Sequence, residues 1–288
     1  MSGRLPDFVI IGAMKCATST LHVQLAAQPG FCMSEPKEPN FFSDAEQWTR
    51  GMGWYEGLFA AAARGDLCGE SSTHYTKLPD LDEALPRVAE HLPDARFIYV
   101  MRHPVDRLVS HYIHEWTERV IDGPIDGAAE RLPALIDYGR YAMQIAPWLE
   151  RFGRDRVLPV FFERMIAHPQ SEIERVCRFL GYAGAPVWQD GVRDNASEQR
   201  MRKSALRNAI VHNPLLAPLR RQLVPKAWRD RAKGLWQMRD KPVLADAERA
   251  RLEAVFDADL AQLGGMMGVE LNCANFKSTV RAAEMNWC

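Results

Sequence analysis

The sequence predicts an α/β fold in which a central parallel sheet is flanked by helices in three layers, and three observations predict it. Short apolar runs that do not alternate, at Phe8 to Ile11, Arg96 to Met101 and Arg156 to Phe162, read as strands covered on both faces. Between and after them apolar residues recur at helical spacing. A length of 288 residues, 47% of them hydrophobic, allows a substantial core.

Each element has a local justification. The run FVII ends at Gly12, and a helix is expected from about Thr18. Pro104 suits a first helical position, and Leu108, Val109, Tyr112, Ile113 and Trp116 form the stripe of the helix it opens. Tyr141, Ile145, Trp148, Leu149 and Phe152 make a second stripe, and Leu252, Val255, Phe256, Leu260 and Leu263 a third. Pro159 cannot donate a ladder hydrogen bond, so its strand belongs at a sheet edge. Strands alternating with helices imply parallel connections, and ligands of such sheets sit at the carboxyl ends of the strands. Gly12 and Met101 lie at those ends, whereas the stretch from Asn272 shows no periodicity.

Composition narrows the function classes. A net charge of -1 gives no whole-molecule attraction to nucleic acid or a lipid surface, so any anion binding is local. Residues 190–242 depart from this balance, with Arg193, Arg200, Arg202, Lys203, Arg207 and further cations up to Lys241 outnumbering the acids. They read either as a solvated helical surface or as a cap supplying cations to an anionic ligand. Six scattered cysteines without zinc-like spacing are expected to be reduced thiols. The amino-terminal apolar run is too short for a secretory signal and no run approaches about 18 apolar residues, so a cytoplasmic protein without a transmembrane segment is expected. No pattern specifies an oligomeric state.

The chemistry concentrates in DFVIIGAMKCATSTL, Asp7 to Leu21. A buried strand, a turn and a helix starting near Thr18 bring backbone N–H groups around one concavity, which suits a phosphate-like anion. Lys15 adds a positive charge, and Thr18, Ser19 and Thr20 add hydroxyls; a plain turn with an exposed lysine is the competing account. The spacing differs from GxxxxGK[ST], because Lys15 follows Gly12 by three residues and no second glycine intervenes. In YVMRHPVDRLVSHYIHEW, Tyr99 to Trp116, Arg102 ends a strand on the ligand-binding face. Arg107 and Ser110 avoid the apolar stripe of the following helix and are expected on its polar side, where an arginine fork and a hydroxyl suit phosphate.

Together, G-x-x-K-x-x-T-[ST]-[ST]-L after a strand and R-x-P-x-x-R-x-x-S-x-Y resemble the PAPS-dependent sulfotransferases. SEPKEPNFFSD (Ser34 to Asp44) is similar to the KEPxFF segment of the carbohydrate and Golgi-type branch, and GESSTHY (Gly69 to Tyr75) to a later block. The resemblance implies a single domain with a P-loop-like core over about 6–185, a basic cap and C-terminal helix over about 186–271, and a tail. It implies PAPS as sulfuryl donor, PAP as product and no metal. Lys15 would act at the leaving phosphate and Cys16, Ala17, Thr18, Ser19 and Thr20 would wrap the 5′ end. Arg102 and Ser110 would hold the 3′-phosphate, and Glu38 would be the general base. His74, His111 and His114 remain alternative bases.

The implied acceptor is a hydroxyl or amine of a small molecule or glycan: a carbohydrate, glycolipid or secondary metabolite. Trp48, Trp54, Tyr55 and Trp116 either line its cleft or belong to the core. Ala17 stands where many members have glycine, which is tolerable unless that residue needs a positive φ. Ser71 stands where heparan-type enzymes carry lysine, and RAKG at Arg231 to Gly234 only partly matches a 3′-phosphate element. Two other classes stay open. An ATP- and magnesium-dependent kinase is disfavoured by the short GxxK spacing, and a non-catalytic nucleotide-binding protein by the presence of both Lys15 and Glu38.

Overall fold

A computed structural model describes residues 3–191 and 241–288. Most of the basic stretch, 192–240, and with it the RAKG element, lies outside the described residues. In chain order the elements are β1 (Phe8–Gly12), α1 (Thr18–Ala26), β2 (Phe31–Met33), α2 (Ala45–Trp48), α3 (Met52–Gly57), β3 (Leu67–Ser71), a 3-10 turn (Thr73–Thr76), α4 (Ala84–His91), β4 (Arg96–Met101) and α5 (Pro104–Glu118). There follow α6 (Ala128–Arg131), α7 (Ala134–Asp137), α8 (Tyr141–Phe152), β5 (Val157–Phe161), α9 (Phe162–Ala167), α10 (Pro169–Leu180), α11 (Asp246–Met267) and α12 (Phe276–Ala282).

All five strands are parallel, in the order β2-β3-β1-β4-β5, which bears out the predicted architecture. Phe8, Val9, Ile10 and Ile11 are fully buried. Complete burial of such side chains stabilises by about 1.5–3 kcal/mol each, which is why the central strand reads as one apolar run. Pro159 does fall on the edge strand, paired with Tyr99 on the inner side only. Two strands escaped the sequence reading. In β3 a side chain at residue 69 would meet the Phe8 ring at 2.2 Å, so Gly69 permits the close approach while breaking the apolar pattern.

The chain leaves β1 toward β2 and β3 on one side, then crosses to β4 and β5 on the other. That reversal opens a crevice at the carboxyl ends of β1 and β4, where sheets of this kind bind ligands. Gly12 sits at its floor. A Cβ there would lie 2.0 Å from Thr76 Oγ1, the hydroxyl that donates to Ile11 O at 2.8 Å.

The aperiodic stretch after Asn272 is ordered by tertiary contacts. Phe276 is buried against Phe161 and His103, and Trp287 Nε1 donates to Val157 O at 2.7 Å. Buried Arg164 and Arg175 share Glu172 (2.7 and 3.2 Å), and each also donates to a backbone carbonyl of this segment. Among the described residues no helix is long and apolar enough to cross a membrane.

Candidate active site

The turn after β1 is shaped by left-handed residues. Lys15 and Ala17 adopt φ 69° and 66°, and Ala17 precedes α1 without a side-chain cap, leaving the first helical N–H groups aimed at the crevice. Ala17 therefore occupies the one kind of position at which its replacement of glycine matters. Thr18 is buried, and Ser19 and Thr20 are half-buried on the first turn of the helix.

Arg102 meets this loop from β4. Its Nη1 lies 3.5 Å from Lys15 O, its guanidinium is 4.7 Å from the Phe162 ring, and its buried Nε has no hydrogen-bond partner among the described residues. An unsatisfied buried donor is costly, and an anionic ligand would relieve that cost. Tyr141 ties the two segments together. Its hydroxyl donates to Arg102 O (2.6 Å), accepts from Arg102 N (3.3 Å) and lies 3.6 Å from Cys16 Sγ. Asp259 of α11 holds Tyr141 there, accepting Ala142 N (2.9 Å) and Met143 N (3.1 Å) at the start of α8.

Glu38 enters from the loop after β2 with φ 58°, followed by Asn40 at φ 51°. Lys37 Nζ lies 2.6 Å from Glu38 Oε1, and Thr73 Oγ1 donates to Oε2 at 3.2 Å. Burial alone would raise the Glu38 carboxyl, but Lys37, as charge and donor, and Thr73 hold it below the ordinary value. Glu38 faces Lys15: burial lowers the Lys15 ammonium, while the carboxylates of Glu38 and Glu115 act against that lowering. Lys15, Glu38 and Arg102, 23 and more residues apart in the chain, thus come within electrostatic reach of one another.

Lys77, which the sequence reading passed over, feels the same two carboxylates as Lys15. Burial lowers its ammonium, with Glu38 and Glu115 opposing, and its Nζ is 5.4 Å from the Tyr138 ring. The signal was a lone cation closing the GESSTHYTK block.

The histidines divide by their surroundings. Burial lowers His111 to about 4, and both its ring nitrogens are engaged: Nδ1 with Arg107 Nη1 at 3.3 Å and Nε2 with Glu115 Oε1 at 3.1 Å. Because arginine only donates, Nδ1 accepts and Nε2 carries the proton toward Glu115. Burial also lowers His74 to about 4, and lowers His114.

Ser110 is half-buried on α5, one turn before His114. Arg107 departs from expectation. It is fully buried and donates to Leu135 O and His111, because tertiary partners inside the protein take its guanidinium away from the polar face. Tyr55 likewise lies in the core, stacked on Phe41 at 4.8 Å, and half-buried Trp48 and Trp54 pack on the same ring. Trp116 is half-buried on α5.

A sequence profile described as the Sulfotransferase family matches residues 55–186, which include Arg102 and Ser110. The chain is 30% identical over 189 residues to mouse heparan sulfate glucosamine 3-O-sulfotransferase 3B1, across 62% of this chain and 47% of that protein. It is 27% identical over 205 residues to Xenopus laevis bifunctional heparan sulfate N-deacetylase/N-sulfotransferase 1, across 63% and 23%. The chain therefore spans about half, or less, of the length of these curated relatives. In fold it is similar to a sulfotransferase from Alicyclobacillus acidocaldarius, with a TM-score of 0.65 at 24% identity over 93% of this chain and 98% of that one. A mouse sulfotransferase complexed with PAP gives 0.54 at 14% identity over 97% and 90%. With a P-loop-like parallel sheet, an uncapped helix and lysine at its crevice, and these matches in sequence and fold, the chain is similar to the sulfotransferases in both sequence and fold.

Proposed function

We propose that this chain is a PAPS-dependent sulfotransferase that moves a sulfuryl group to a hydroxyl or amine of a carbohydrate, glycolipid or secondary-metabolite acceptor. The observation that carries the reading is that the Glu38 carboxylate acts electrostatically on the Lys15 ammonium, with Arg102 Nη1 3.5 Å from Lys15 O. Bound PAPS supplies an activated sulfuryl group on a phosphate leaving group. Lys15 and the uncapped N–H groups of α1 stabilise the charge that grows on that phosphate, which is where preorganised donors lower a barrier most. Arg102, with Ser110, reads the 3′-phosphate; the unpartnered Nε supports a charged ligand there.

Glu38 takes the acceptor proton. Its lowered pKa keeps it ionised at neutral pH, and the Lys37 and Thr73 contacts fix its orientation. The engaged ring nitrogens of His111 support Glu38 over that histidine. Among acceptors, glycans are favoured by the relatives, whose names place them on heparan sulfate.

The test is calorimetric titration with PAP against 5′-AMP and against ATP plus magnesium, followed by transfer from PAPS to a heparan oligosaccharide. Tight PAP binding that 5′-AMP does not match is expected. Equal binding of ATP, or none of PAP, would overturn the reading.

A further inference from the structure

We propose that Glu70 is a positioning residue for Glu38, acting through two hydroxyl groups that grip the Glu38 loop by its backbone. This rests on Glu38 being the general base. Glu70 is fully buried in β3, within electrostatic reach of the Glu38 carboxylate, and takes three hydroxyl hydrogen bonds: Ser72 Oγ to Oε2 at 2.6 Å, Tyr75 OH to Oε1 at 2.8 Å and Tyr55 OH to Oε1 at 2.9 Å. Two of those hydroxyls also face the loop. Ser72 Oγ accepts Asn40 N at 3.0 Å and Tyr75 OH accepts Phe42 N at 3.4 Å.

The direction of these bonds is the point. A hydroxyl has one proton, and an ionised carboxylate only accepts. With that proton committed to Glu70, Ser72 and Tyr75 can only present lone pairs to the two loop N–H groups. The carboxylate thus orients both hydroxyls as acceptors and pins the backbone on the far side of a loop whose Glu38 and Asn40 are left-handed. Such conformations persist only where the surroundings hold them. Ser72 N in turn bonds Ile10 O at 3.0 Å, so the grip is anchored to the central strand that also leads to Lys15. A glutamine would place a donor where one of the hydroxyl protons now points and would reverse that hydroxyl.

The experiment compares Glu70→Gln with the unaltered protein at pH 8, because burial raises the Glu70 carboxyl to about 7 against the pull of its three donors. Amide hydrogen exchange at residues 34–44 should accelerate about tenfold, as expected when a charge-assisted bond is lost, while exchange in β1 and α5 and the affinity for PAP hold. In turnover of PAPS with a heparan oligosaccharide, kcat should fall by about tenfold or more with KM for PAPS unchanged. Ser72→Ala and Tyr75→Phe should shift exchange in the same direction, and neither should add to Glu70→Gln. If Glu70→Gln does not fold, those two variants decide the question. Unchanged exchange at 34–44, or acceleration spread evenly over the sheet, would overturn the proposal. Absence of PAP binding or turnover in the unaltered protein would instead overturn the functional reading, and the exchange result would still decide the positioning role.

Discussion

The Lys37 ammonium lies 2.6 Å from Glu38 Oε1, and this contact between neighbours in sequence decides how Glu38 titrates. Burial pushes the carboxyl up and Lys37 pulls it further down. A depressed carboxylate stays ionised through the ordinary carboxylate range, about 4.3, and protonates only below it. Transfer should therefore persist as pH falls to that value and be lost beneath it. Lys37→Met removes the largest cause that opposes burial, so the acid limb should move up. A pH–rate profile of PAPS turnover with an unmoved limb would take the base role away from Glu38.

Lys15→Ala should lower turnover by about 100-fold or more, the usual cost of losing a donor at developing charge. Its ammonium is desolvated in the native state, so the melting temperature should stay within about 2 °C. Steady-state kinetics beside a thermal melt separates the two effects, and near-normal turnover would refute the assignment.

Arg102→Ala should weaken PAP by about tenfold or more, as loss of a charge-assisted hydrogen bond does, and leave 5′-AMP nearly unchanged. Equal losses for both nucleotides would mean that Arg102 supports the loop through Lys15 O rather than reading a 3′-phosphate.

Ala17→Gly should stabilise the protein. Ala17 has φ 66° and ψ 29°, a left-handed conformation that costs a non-glycine residue about 1–2 kcal/mol. Part of that gain is lost to glycine's greater freedom in the unfolded chain, leaving about 1 kcal/mol or less. Thermal or urea denaturation measures it, and a destabilised variant would mean that the Ala17 methyl group contributes packing that outweighs the strain.

Much of the fold was legible locally. The runs at 8–11, 96–101 and 156–162 became β1, β4 and β5, and the stripes from Val105, Tyr141 and Leu252 became α5, α8 and α11. Burial on both faces leaves an unbroken apolar run, and one-sided burial leaves helical periodicity; both are properties of a short window. β3 was hidden because LCGES carries a glycine admitted by the Phe8 ring and a carboxylate whose burial is made tolerable by the hydroxyls of Ser72, Tyr75 and Tyr55. α12 was hidden because its order comes from Phe161, His103 and the Arg164–Glu172–Arg175 cluster, not from its own pattern.

By itself the sequence determined the parallel core, the end of the sheet from which Lys15 and Arg102 emerge, and the motifs that resemble a sulfotransferase. Only the tertiary structure decided that Arg107 turns inward, that Tyr55 fills the core, and that Tyr141 joins Arg102 to Cys16. It also decided that Ala17 is left-handed and that Glu38 is gripped by Lys37 and Thr73. The division is physical: periodicity and chain punctuation are set by neighbours within a turn or two. A hydrogen-bond partner 35 or 125 residues away, as for Thr73 with Glu38 and Tyr141 with Cys16, is chosen only when the packed elements bring it within reach.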